Sequence, residues 1–479
     1  MSASENETDV VVCGAGIAGL SAATMLAERG VRVVVVERER FLGGRAGSWG
    51  DTLADGTPFQ MERGFHAFFR QYHNLRALMR RVDPALSFLA PMSDYPLLGP
   101  KGASESFADL PTRTPFNLME LVRRTPTLGL RDLMRVDVGR AVEMLSFDPV
   151  ASYERWDDVT ARAYLDSLRF PDDARHMLFD VFAHSFFNPE EEYSAAELLA
   201  MFHFYFLGNP DGLVFDVMRQ PFSTALFEPL ARRLEGLGVE IRRGTAARAI
   251  ERQDGRVRVE TEHGVIAAKA VVLALAVPAL KDVVRASRGL SERLAHEVST
   301  LEVTWPFAVL RLFLDRAPRA DRAPFAGTTG LGPIDNVSIF EKLEDESRAW
   351  AARTGGSVVE LHAYAVDPAS ADTRTREALL AGMHEAYPET REAKILEERW
   401  LVRRDCPAFH PGSHRTRPRP VTDVPEVLLA GDFVRLPFAS ALMERAATSG
   451  MIAANAILRD RGLPVHDVRL PPLRGMMAR

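Results

Sequence analysis

The stretch Asp9–Trp49 constrains the fold more than any other part of the chain. Asp9–Cys13 is a short run rich in β-branched residues, the composition of a buried strand. Gly14, Gly16 and Gly19 follow at G-x-G-x-x-G spacing. Ile17, Leu20, Ala23 and Leu26 then recur at helical intervals, and Gly30 marks the helix stop. Val31–Val36 reads as a second strand, closed by Glu37. In this β-α-β unit Gly14 lets the chain turn tightly, Gly16 lets the backbone approach a pyrophosphate, and Gly19 lets helix and strand pack closely. The helix start offers free N–H groups and a partial positive charge to phosphates. Glu37 offers its carboxylate to an adenosine ribose. The candidate cofactor contacts here are Gly14, Ala15, Gly16, Ile17, Ala18, Gly19, Glu37 and Arg38. Such glycines also serve ordinary turns, but strand, spacing, helix and acid coincide.

A second glycine turn, Gly43-Gly44-Arg45, comes a few residues later. It can bring backbone amides and a cation to the same pyrophosphate. It resembles the second fingerprint of FAD enzymes of the amine oxidase and phytoene desaturase superfamily, which implies FAD as the cofactor and adds Gly44 and Arg45 to its contacts. Near the other end, Val427–Asp432 reads as a last buried strand, followed by a helix over Ala439–Arg459. Ala446, Ala447, Gly450 and Ala453 give that helix a thin face, suited to close approach to the sheet or a ligand. This resembles the superfamily's C-terminal FAD motif. The resemblance implies Gly431 and Asp432 at the ribityl or phosphate end, and backbone amides near Met443 facing the flavin pyrimidine. It also implies an adenine contact through the backbone near Ala247, where the superfamily usually has valine.

At 479 residues the chain is too long for one simple core. The expected class is α/β, a Rossmann-like FAD-binding domain of the GR2 type interleaved with a substrate domain of mixed sheet and helices. The expected FAD-binding part comprises 9–100, 236–285 and 425–460; the substrate part comprises 101–235 and 286–424. Between them, Phe222–Leu237 reads as a helix and Val239–Arg242 as a strand. Arg256–Glu260 and Val265–Ala267 read as a hairpin, and Ala270–Leu275 as a separate buried strand. Leu301–Asp315 and Ser357–Val366 suggest strands of a second sheet, with a helix at Thr373–Tyr387. Thr390–Trp400 fits either a strand or a short helix.

Net charge is −6, from 59 basic and 65 acidic residues, so no basic bias exists to neutralise nucleic acid. The two cysteines, Cys13 and Cys406, make no disulfide framework and fit a reducing cytoplasm. Met1–Asp9 is polar, so no signal peptide is expected. No apolar run approaches the length of a membrane span. His410 and His414 flank Pro411-Gly412 with no third ligand at a useful spacing, so no metal is expected. The sequence sets no oligomeric state.

Asp55-Gly56 is a hairpin signal. After it, Met61-Glu62-Arg63-Gly64-Phe65-His66 resembles the superfamily's strand and turn beside the flavin ring, which places Gly64 and Phe65 at the cofactor. Phe65, Phe68, Phe69 and Tyr72 make this stretch aromatic, as are Phe186-Phe187 and Phe202-His203-Phe204-Tyr205. Such residues fill cores as readily as they line a large apolar pocket. Residues 112–145 alternate arginine with apolar residues at helical spacing, interrupted at Pro126. They fit either a solvated helix pair or a part lying in a lipid interface.

The segments Gly64–Tyr72 and Ala441–Ala447, with Met201–Gly208 and Gly212–Asp216, resemble the carotenoid φ-ring synthases, also called isorenieratene synthases or β-carotene desaturase/methyltransferases. The resemblance implies an apolar isoprenoid substrate, and oxidation of a β-ionone ring to an arene with one methyl moved to the neighbouring carbon. That change needs two two-electron oxidations. A quaternary carbon blocks it until a methyl leaves, and a cation beside that carbon permits a 1,2-shift. Flavin taking hydride at N5 creates such a cation, and no methyl donor is required. The protein must hold the ring, exclude water and supply a weak base. His66, Glu444 and Glu62 are the candidates for that base, although Glu444 would equally serve an ion pair with a nearby arginine. The implied location is the cytoplasm, with peripheral contact at the inner face of the cell membrane as an option. Alternatives are a carotenoid desaturase or isomerase acting on a linear polyene, a flavin amine oxidase, and a flavin-free lipid carrier on the same fold.

Overall fold

The computed structural model describes residues 7–92, 94–106, 137–171, 186–207, 215–369 and 373–475, with single positions 111, 116, 119, 120, 123 and 175. Its first sheet has seven strands and is built on the N-terminal unit. Thr8–Cys13 is buried throughout and lies parallel to Val33–Glu37 on one side and to the end of Gly264–Leu273 on the other. Glu240–Arg243 extends the sheet beyond Val33–Glu37, and Val427–Leu429 adds beside Val271–Leu273, both in parallel. Thr8–Cys13, Val33–Glu37 and Val427–Leu429 are buried throughout and read as near-continuous apolar runs, as strands covered on both faces do.

Gly264–Leu273 differs from the sequence expectation. It is one strand of ten residues, not a hairpin arm followed by a separate strand. Its first half pairs antiparallel with Arg256–Thr261 and its second half parallel with Thr8–Cys13. The handover falls at Ala268, which faces Val257 on one side and Thr8 on the other. No glycine or proline interrupts Val265–Leu273, so nothing breaks the strand there.

The helix Ile17–Ala27 is buried along its whole length. The last helix, Leu442–Asp460, crosses it. A Cβ on Gly450 would lie 2.2 Å from the Ala18 carbonyl oxygen, and Ser21 Oγ donates to the Ala447 carbonyl at 2.9 Å. The thin face of the last helix therefore meets the first helix rather than the sheet. The helix starts at Leu442, three residues later than expected from Ala439.

The second sheet also has seven strands, in the order Ile395–Arg403, Phe307–Leu314, Ser357–Ala363, Asn336–Ile339, Phe325–Thr328, Pro96–Leu98, Ser104–Ser106. The ambiguous segment after Thr390 thus resolves into a short 3-10 turn, Pro388–Glu392, and an edge strand. Pro96–Leu98 pairs with Phe325–Thr328, so the hairpin 96–106 belongs to this sheet and cuts across the boundary expected at residue 100. A small third sheet joins Phe68–Phe69 and Leu89–Met92 to Phe215–Met218. The segment 112–145 falls largely outside the described residues. Among the described residues no helix is long and apolar enough to cross a membrane, and no cluster of side chains could hold a metal ion.

Candidate active site

A cavity of about 760 Å³ opens at the carboxyl ends of the first sheet and runs to the second sheet. Its polar end is built from glycine turns. Gly14 has φ +102°, and a Cβ there would lie 2.4 Å from the Ala274 carbonyl oxygen. A Cβ on Gly19 would lie 1.9 Å from the Gly14 carbonyl oxygen, so only glycine allows helix and turn to meet. The second turn is sewn onto the first: Gly43 N–H donates to the Ala15 carbonyl at 2.8 Å, and Gly44 faces Gly16. The helices starting at Ile17 and Leu442 have no side-chain cap, and both starts border the cavity. Their first-turn N–H groups are therefore available to an anion.

Of the expected cofactor contacts, Gly14, Gly16, Ile17, Ala18, Glu37, Arg38, Gly44, Arg45, Phe65, Ala247, Gly431, Asp432 and Met443 line the cavity. Ala15, Gly19 and Gly64 do not. Ala15 faces Glu37, donating its N–H to Oε2 at 2.7 Å. Gly19 is consumed by helix–strand packing. Gly64, at φ +101°, sits where a Cβ would fall 2.5 Å from the His362 ring. Glu37 is nearly buried at the end of its strand, and burial pushes its carboxyl up against the pull of the Glu39 and Ala15 amides. Arg45 Nη2 donates to Asp432 Oδ1 at 2.6 Å. Burial works against the Arg45 charge, and Asp432 more than restores it. The two residues expected at the cofactor from opposite ends of the chain thus meet.

The other end of the cavity is apolar. Phe65, Phe69, Tyr72, Phe186, Tyr205, Phe215 and Phe325 face it. Phe65 stacks on Phe325 with ring centroids 4.4 Å apart, and Tyr72 and Tyr205 share a hydroxyl contact at 2.5 Å. His66 borders this region, with Nδ1 2.7 Å from the Gly64 carbonyl oxygen. Burial pushes its pKa down to about 4, so the imidazole is neutral near pH 7.

The two carboxylates expected as alternative bases lie elsewhere. Glu444 sits on the face of its helix turned from the cavity. Its Oε1 and Oε2 accept the backbone N–H groups of Asn74 and Leu75, each at 2.8 Å. It caps the helix His73–Met79, does not line the cavity, and among the described residues has no arginine partner. Glu62 accepts from the Phe222 backbone N–H at 2.9 Å. With Glu344 it borders a separate space of about 20 Å³ behind His66, and burial holds its carboxyl well above the usual range.

Sequence reading missed the residues contributed by the second sheet. Asn336, His362 and Tyr364 all line the cavity. A signal existed: Glu360, His362 and Tyr364 alternate within the otherwise apolar Val358–Val366, the spacing that puts polar groups on one face of a strand.

Comparison with known proteins accounts for this architecture. Flavin containing amine oxidoreductases match residues 17–458 of the chain. A carotenoid phi-ring synthase of Streptomyces griseus is 47% identical over 471 residues, covering 98% of this chain and 91% of the relative. The chain belongs to the carotenoid phi-ring synthases of the flavin containing amine oxidoreductase family. A zeta-carotene desaturase of Synechocystis is more distant, at 24% identity with 94% of this chain and 97% of the relative covered. Among solved structures, a redesigned putrescine oxidase superposes with TM-score 0.70 at 16% identity, over 95% of this chain and 99% of that one. The protein is an FAD-dependent oxidoreductase. The cleft fits that cofactor: side-chain-free backbone at Gly16 and Gly44, two uncapped helix starts and the Arg45–Asp432 pair converge on its polar end.

Proposed function

We propose that this flavoprotein aromatises the β-ionone ring of a carotene, with an intramolecular 1,2-methyl shift. The observation that carries the reading is the apolar, aromatic-walled limb of the cavity, continuous with the dinucleotide end. The 47% identical phi-ring synthase supports the same chemistry, and the lower likeness to the desaturase makes a linear polyene the weaker reading. When bound, FAD supplies hydride acceptance. The chain supplies the rest. Phe65, Phe69, Tyr205 and Phe215 grip an apolar ring and keep water from a ring cation. His66 offers a neutral imidazole whose Nδ1 is committed to the Gly64 carbonyl, leaving Nε2 toward any ligand. Gly14, Gly16, Gly44 and the helix start at Ile17 hold the pyrophosphate, Glu37 the adenosine ribose, and Met443 the flavin pyrimidine.

A carotene is delivered from lipid, and we place the protein at the inner face of the cell membrane on the cytoplasmic side. Phe116 and Met119, helical residues within 112–145, are 58% and 63% exposed, which supports an apolar contact there. Expression in a β-carotene-producing bacterium tests the function. Ring hydrogens should be lost with the methyl count unchanged by mass, and aromatic protons should appear by NMR. Untouched β-carotene beside folded, FAD-loaded protein would sink the reading.

A further inference from the structure

Glu360, His362 and Tyr364 form a connected chain of hydrogen bonds that ends in the cavity. His362 Nε2 lies 2.8 Å from Glu360 Oε1, and Nδ1 lies 2.7 Å from the Tyr364 hydroxyl. Glu360 Oε2 accepts from Arg311 Nε at 2.7 Å. Burial opposes the Glu360 charge, but Arg311 prevails and holds the carboxyl down at about 2. The Phe65 backbone N–H lies 3.0 Å from Glu360 Oε1 and 3.2 Å from His362 Nε2. The carboxylate is its nearer and stronger acceptor, and an ionised carboxylate 2.8 Å from Nε2 requires hydrogen on Nε2, since two lone pairs would otherwise face each other. Nδ1 is then the acceptor, and the Tyr364 O–H donates to it. Asn336 Nδ2 donates to the Tyr364 oxygen at 3.1 Å, which leaves one acceptor direction of that oxygen for a ligand. The arrangement is a hydroxyl, an imidazole and a carboxylate in series, the order by which a weak acid is made a useful base. None of the site residues expected from sequence belongs to it.

We infer that Tyr364 is the group that takes the proton from the substrate ring, with His362 and Glu360 as its positioning residues. The inference rests on the proposed aromatisation. Once hydride has left the ring, a ring C–H bond breaks and its electron pair becomes the new C=C bond. The proton passes to the Tyr364 oxygen as Tyr364 gives its own proton to His362 Nδ1. The resulting imidazolium is paired with Glu360, and its proton returns through the Tyr364 oxygen to water in the cavity once the product ring has moved away, before the next oxidation.

The test uses full-length, FAD-loaded wild type, Tyr364→Phe, His362→Gln and His362→Ala with β-carotene in phospholipid vesicles. Tyr364→Phe keeps FAD content and melting temperature, yet arene formation falls about 100-fold, the range of a lost general base. Substrate under anaerobic conditions still bleaches the flavin absorption band, and ring products without aromatic protons accumulate. His362→Gln, whose amide oxygen can accept from Tyr364, retains more arene formation than His362→Ala. Wild-type arene formation by Tyr364→Phe overturns the relay and leaves the proposed function standing. So does a parallel fall in FAD content, bleaching and arene, which is the signature of a structural role. No arene from wild type overturns the function and the relay together.

Discussion

Arg311 and Glu360 face each other on neighbouring strands, 2% and 0% exposed. Two charges in an apolar sheet are expensive to desolvate, and the pair is no argument for stability by itself. Its value lies in what it holds. Arg311 Nη1 also donates to the Gln60 carbonyl at 3.0 Å, and Glu360 Oε1 accepts the Phe65 backbone N–H at 3.0 Å. The aromatic turn that walls the cavity is therefore anchored on a buried carboxylate, and that carboxylate on a buried guanidinium. Arg311→Met should lower unfolding stability by about 3–5 kcal/mol, because it strands Glu360 without its counter-charge. Adding Glu360→Gln should recover part of that loss. Urea unfolding of the two variants checks both, and equal midpoints for them would show that the stranded charge is not the cause.

At the scale of elements, Glu444 ties the last helix to His73–Met79 by filling that helix's N-terminal donors. Glu444→Ala should cost about 1–3 kcal/mol for each amide left buried without a partner. Its pH signature has a definite sign. Burial outweighs the two amides and raises the Glu444 carboxyl from 4.5 to about 8. The folded state then binds the proton more tightly than the unfolded chain, so stability is full below pH 4.5 and falls as pH rises through about 8. Removing the carboxyl should flatten that fall, which melting curves across the interval will read. The sequence placed Glu444 correctly on the helix but not on its face, because one residue of rotation separates it from Met443, which does line the cavity. The tight turn at Gly14 and the close packing at Gly19 were legible, since backbone clearance dictates them locally, whereas Gly19 and Gly64, also expected at the cofactor, do not line the cavity. The alternation of Glu360, His362 and Tyr364 marks one face of a strand, but not what that face meets: Glu360 finds Arg311 through a pairing across about fifty positions that no local pattern specifies.

For the whole molecule, the cavity is the seam between the two large sheets. The first sheet has its own core of Val11, Val36, Val271 and Leu429 under Leu280 and Leu294, and the second has Leu310, Leu312, Val337 and Leu361. Each is packed without help from a ligand. The seam is different: its polar wall includes the helix starts at Ile17 and Leu442, whose first-turn N–H groups have no side-chain cap. FAD should therefore stabilise the molecule unevenly. Binding to the folded state alone adds about 2.7 kcal/mol at a hundredfold excess over the dissociation constant. That gain should concentrate where the protein meets the cofactor. Stripping FAD should lower the melting temperature and raise amide hydrogen exchange at Gly43–Gly47 and Leu442–Ala446. Exchange in Phe307–Leu314 and Ser357–Ala363 should stay unchanged, because those strands are closed by their own ladder and core. Re-adding FAD should restore protection at the same two segments. A uniform rise across both sheets would instead mean that the cofactor is part of the folding core, and that the seam is not a separable unit.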